Sequence, residues 1–174
     1  MQMMDQNVLH FFVQNRTEWL TFLMLVITYL GSYVIVIGTT ILSSISFFIH
    51  KHIKRILPLI VSVTGSAITV FLIKNIFNTA RPISEAIYLE SSPAFPSGHA
   101  ASAIALYGFL LYTAYKHAHH PLKNPLIYFL FILIILIGLS RLYLGVHYLS
   151  DVLVGYLVGS FWLWLSIKFQ KYDS

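Results

Sequence analysis

The chain has 174 residues, of which 57% are hydrophobic and only 10% charged, and its mean hydropathy is +0.76. That composition cannot clothe an aqueous surface in polar groups, so a water-soluble globular fold is excluded and a membrane protein is indicated. With no cysteine there is no disulfide, thiolate chemistry or Cys-ligated metal, and the net charge of +5 gathers in short basic loops rather than in a nucleic-acid-binding face.

Residues 5–20 mix Val8, Phe11, Phe12 and Trp19 with Gln14, Asn15, Arg16 and Glu18, the pattern of an amphipathic segment lying among lipid headgroups. It has neither the basic start nor the small-residue cleavage site of a leader, so it is expected to stay on the chain. Charge-free stretches then run between Glu18 and Lys51, Arg55 and Lys74, Glu90 and Lys116, Lys123 and Arg141, and Asp151 and Lys168. Each can hold most or all of a helix crossing roughly 30 Å of hydrocarbon, which takes about 20 residues. Five spans are predicted, over 26–49, 56–77, 98–115, 124–141 and 147–168. Strict period-two alternation is absent, which argues against a barrel. The expected fold is an all-α polytopic transmembrane bundle, a single domain over 1–174 with its motif core at 74–151.

Orientation follows from the basic residues outside the motifs. Lys51, Lys54, Arg55, Lys116, Lys123, Lys168 and Lys171 all fall on one side of the predicted spans and only Arg16 on the other, so the positive-inside rule makes the first side cytoplasmic. Three polar patches then face outward. They are Lys74 with Arg81-Pro82, Pro96-Ser97-Gly98-His99, and Ser140-Arg141 followed by His147 and Asp151.

Lys74 and Arg81 are seven apart, two helical turns, so both cations can point at one anion; snorkelling to headgroups is the other role open to them. Ser97 is placed as the N-cap of the third span. The free amides after it suit an anion, Gly98 lets that anion approach the backbone, and His99 can supply a proton. An ordinary capped helix with an interfacial histidine gives the same pattern. His147 and Asp151, four apart, share a helical face, where the carboxylate fixes the imidazole tautomer and frees the other nitrogen as nucleophile or base. Gly145 allows a turn that returns Arg141 to the same place. Three cations, two histidines and one carboxylate make an inventory for holding and transferring a phosphate.

Other features read as structural. His117, His119 and His120 are expected in a solvated loop, and Glu85 and Glu90 likewise. Gly155 and Gly159 suit close helix packing or dimerisation, while Trp162, Trp164 and Tyr172 suit an interfacial belt.

Lys-x6-Arg-Pro (Lys74 to Pro82), Pro-Ser-Gly-His (Pro96 to His99) and Ser-Arg-x5-His-x3-Asp (Ser140 to Asp151) together resemble the complete signature of the type 2 phosphatidic acid phosphatase (PAP2) superfamily, in its membrane-embedded lipid phosphatase branch. The resemblance implies that His147 attacks phosphorus to form a phosphohistidine, Asp151 orients it, and His99 protonates the leaving oxygen and then activates water. It also implies that Lys74, Arg81, Ser97, Gly98 and Arg141 hold the phosphate, and that neither metal nor cofactor is needed. The implied partners are the bilayer and a phosphorylated lipid, of which phosphatidylglycerophosphate, phosphatidate and undecaprenyl pyrophosphate remain open. A lipid-dependent phosphotransferase would use the same residues, and a non-catalytic lipid-binding or transport protein is the remaining alternative.

Overall fold

The structure is a computed structural model that describes residues 2–117 and 123–172, and every regular element among them is helical. In chain order these are α1 (Gln2–Gln14), α2 (Glu18–Leu30), α3 (Tyr33–Ile49), α4 (Ile56–Phe77), α5 (Gly98–Ala103), a π turn (Ile104–Gly108), α6 (Phe109–His117), α7 (Lys123–Tyr143) and α8 (Leu149–Tyr172). Short 3-10 turns at Ile53–Arg55 and Ile83–Glu85 connect them.

Three of the runs, Ile53–Phe77, Lys123–Tyr143 and Leu149–Phe169, are each long and apolar enough to cross a membrane. The predicted first span at 26–49 is instead a bent pair, α2 and α3, meeting at 49°. Gly31 closes α2, and the Ser32 hydroxyl accepts from Ile35 N at 3.5 Å to open α3, so a stop and a start sit inside an apolar run that carries no charge to mark them. Residues 98–117, where the 98–115 span is predicted, form one helical run whose middle widens into the π turn; it is not among the runs long and apolar enough to cross, so the described residues give three such runs, or four if the bent pair is one span, against the five predicted. The crowded loop of His119 and His120 lies outside the described residues, as does the side chain of His117.

α8 packs along α4 and α5, and small residues set how closely. A Cβ at Gly155 would strike the Ser97 carbonyl and one at Gly159 the Ala101 carbonyl, so this pair seats α8 on α5 within the bundle. Gly65 on α4 forms a slot for the Trp162 indole, whose Nε1 donates to Thr69 Oγ1 at 2.9 Å. Trp162 is therefore packed inside the bundle, not in an interfacial belt, whereas Trp164 is exposed and lies under Lys168. The main core joins Ile27, Val36, Leu59, Val63, Leu106, Phe109, Leu130, Leu133 and Ile137 from six helical segments. Leu42, Ile68, Phe129 and Leu157 are exposed along the helices, part of the apolar coat that lipid tails would cover.

α4 ends, α5 begins, α7 ends and α8 begins at the same end of the bundle, which brings all three motif patches together. α1 lies across that end. Its Val8 and Phe12 pack on Ala100, Leu142 and Val152, and Asp5 accepts from Ser150 N and Ser150 Oγ, both at 2.9 Å, clamping the first turn of α8.

Candidate active site

Local conformation delivers each side chain. α4 is stopped by Asn78 in the left-handed region (φ 43°, ψ 46°), its N–H donating to Lys74 O, so Lys74 occupies the last turn. The Lys74 ammonium donates to the Pro93 carbonyl. After α7, the turn through Gly145 (φ 68°) lets Val146 N donate back to Arg141 O at 3.2 Å and sets His147 just ahead of α8. A Cβ at Gly145 would also collide with the Glu85 carbonyl.

His147 is 1% exposed and both its ring nitrogens are engaged. Nδ1 donates to Asp151 Oδ2 at 3.3 Å, and the same oxygen accepts from Tyr148 N at 2.9 Å. Nε2 is left as an acceptor and takes a bond from Arg81 Nη1 at 3.1 Å. Burial, with Arg141, Arg81 and Lys74 nearby, holds the His147 imidazole well below its ordinary pKa. Arg81 is otherwise saturated: Nε donates to Ser92 O at 2.7 Å, Nη1 to Val146 O at 2.7 Å, and Nη2 pairs with Glu90 Oε2 at 2.6 Å. Arg141 is completely buried, donates to Thr28 Oγ1 at 2.7 Å and to the Tyr88 hydroxyl, and pairs through Nη2 with Glu90 Oε1.

Glu90 is thus half-buried between two guanidiniums, a correction to its expected place in a solvated loop. Burial alone would raise its pKa, but Arg141 and Arg81 outweigh that and keep the carboxyl below the usual range and ionised. Thr28 and Tyr88, which hold Arg141 here, lie outside the three motifs. The one available signal was the alternation Tyr88-Leu89-Glu90, which in an extended loop turns the tyrosine and the glutamate to one side.

Ser97 stands at the N-cap of α5 with its N–H donating to Asp151 O at 2.9 Å, so the second and third patches are joined through the backbone. Its hydroxyl is buried without a partner. Lys74, Arg81, Gly98, His99 and His147 line one cavity of about 740 Å³, with Ser97, Arg141 and Asp151 packed behind them. Below the cations the wall is mainly apolar, built by Val36 and Ile37 of α3 and Val63, Val70 and Phe71 of α4, with Ser32, Tyr33, Ser66 and Ser102 as its polar members. A charged head with an apolar tail fits that division.

Comparison with known proteins gives the same assignment. Residues 55–174 match the PAP2 superfamily. Phosphatidylglycerophosphatase B of Bacillus subtilis (strain 168) is 31% identical over 166 residues, covering 91% of this chain and 79% of that protein. The crystal structure of the first transmembrane PAP2 type phosphatidylglycerolphosphate phosphatase from Bacillus subtilis superposes with a TM-score of 0.89 at 29% identity, over 99% of this chain and 87% of the other. That of Aquifex aeolicus LpxE gives 0.73 at 28%, over 94% of each. The motifs, the helical frame that joins them and these likenesses agree: the chain is a membrane phosphatase belonging to the PAP2 superfamily.

Proposed function

We propose that the protein hydrolyses the terminal phosphate of phosphatidylglycerophosphate through a phosphohistidine. The observation that carries this reading is His147, tied through Nδ1 to Asp151, with Nε2 turned to the guanidinium of a cation-lined cavity. Nε2 attacks phosphorus, the P–N bond forms as the P–O bond to the lipid breaks, and the leaving oxygen takes a proton from His99. His99 then removes a proton from water, whose oxygen attacks phosphorus, releasing inorganic phosphate and restoring His147. Asp151 offsets the charge that gathers on the imidazole. Lys74, Arg81 and Arg141, with the Gly98 amide and Ser97 hydroxyl, stabilise the transferring group as fixed charges and dipoles.

The similarity to phosphatidylglycerophosphatase B supports the choice of lipid, and the apolar wall beneath the cations supports entry with the tails still among the helices. By the positive-inside rule the basic loops lie in the cytoplasm, which turns the cavity to the outer face of the cytoplasmic membrane. Phosphate release by purified protein on phosphatidylglycerophosphate, phosphatidate and undecaprenyl pyrophosphate tests the substrate. The highest kcat/KM is expected on the first, and a preference for the pyrophosphate would overturn it.

A further inference from the structure

Glu90 places one carboxylate oxygen 2.6 Å from Arg81 Nη2 and the other against Arg141 Nη2, so a single anion bridges two guanidiniums. Two phosphate oxygens would make the same two-armed contact, because guanidinium donors serve carboxylate and phosphate alike. Tyr88 donates its hydroxyl to Glu90 Oε1 at 3.3 Å and itself receives a bond from Arg141, which holds the carboxylate from a further side. Glu90 also lines the 740 Å³ cavity, beside Leu89, Ser91 and Ser92 of the same non-helical segment. The contact therefore belongs to a loop, and a loop can withdraw it without moving a spanning helix.

We infer that Glu90 is a resident competitor for the phosphate cradle: it holds Arg81 and Arg141 when the cavity is empty, yields to a phosphate carried on a lipid, and returns to displace the free phosphate that hydrolysis leaves. The inference rests on reading Arg81 and Arg141 as the phosphate-holding cations. A resident anion lowers the affinity of every phosphate by one factor. A lipid regains that factor by burying its tails against α3 and α4, whereas inorganic phosphate has no tail and is released. The site thereby resists inhibition by its own product and by ambient phosphate.

The test is Glu90→Gln in the whole detergent-solubilised protein, read as the inhibition constant of inorganic phosphate against p-nitrophenyl phosphate hydrolysis. It should fall at least about tenfold, equivalent to about 1.4 kcal/mol, and the KM for lipid should fall in parallel. A structural role would move both constants the other way, since loosened arginines bind phosphate less well. An unchanged or raised inhibition constant in folded Glu90→Gln overturns the proposal. Glu90→Asp, one methylene too short to reach both guanidiniums, should shift the constant in the same direction. If neither variant folds, Glu90 is a structural ion-pair partner and the proposal fails. Lack of any phosphate inhibition in the wild type, with turnover surviving Arg81→Ala, would instead refute the assignment of the cradle itself.

Discussion

His147 and His99 line one cavity but are held differently. His147 is pinned through both ring nitrogens, by Asp151 and Arg81, and is almost wholly buried. His99 sits in the first turn of α5 against Gly31, where a Cβ would come within 3.2 Å of its ring. If these are nucleophile and general acid, their losses separate by leaving group. His147→Ala should be inactive on lipid and on p-nitrophenyl phosphate, because the covalent route is gone. His99→Ala should keep a far larger fraction of activity on p-nitrophenyl phosphate, since that phenolate leaves without a proton, and should lose about 10²–10⁴ on lipid. The comparison needs phosphoenzyme formation to limit both rates, which a burst measurement establishes. Equal losses under that condition would remove His99 from the role of acid.

Among the elements, α8 carries the strictest demand. Gly155 faces the Ser97 carbonyl, and the same stretch of chain holds the Ser97 N–H to Asp151 O bond that links α5 to α8. Gly155→Leu should push the two helices apart, lower stability by about 1–3 kcal/mol and cut turnover by displacing Gly98 and His99 from His147. A thermal melt and a kcat measurement in the same detergent check this, and a variant matching the wild type in both would show that the contact can relax. What the sequence conveyed about such elements was uneven. Charge-free gaps marked α4, α7 and α8 to within a few residues, because a charge in hydrocarbon is costly enough to be avoided. The Gly31-Ser32 break and the π turn at Ile104–Gly108 left no such mark, since apolar and small residues serve a straight helix as well as a broken one. Trp162 read as interfacial from its place near a helix end, and only the slot at Gly65 on another helix explains its burial.

For the molecule as a whole, the motif side chains stood out because Lys, Arg, His and Asp are few in so apolar a chain and fall in three short patches. Glu90 did not, because an acidic residue in a polar loop has the same composition whether it meets water or an arginine. Topology is open to direct test: the chain has no cysteine, so single cysteines introduced at the exposed positions Ser84 and Asn124 report sidedness cleanly. An impermeant thiol reagent on intact cells should label the first and spare the second. The reverse pattern would invert the orientation and move the cavity to the cytoplasmic face.

The bridge from Arg81 through Glu90 to Arg141 also bears on how the bundle assembles during synthesis. A guanidinium enclosed without a counter-charge costs several kcal/mol, and two facing each other cost more. Were the substrate their only partner, the α2, α4 and α7 ends could close only around a lipid already in place. With the carboxylate supplied by the chain, and the Pro93 carbonyl receiving Lys74, the helices can come together in a bilayer that holds no phosphorylated lipid. With these charges matched from within the chain, folding of the bundle is not expected to require a bound phosphorylated lipid.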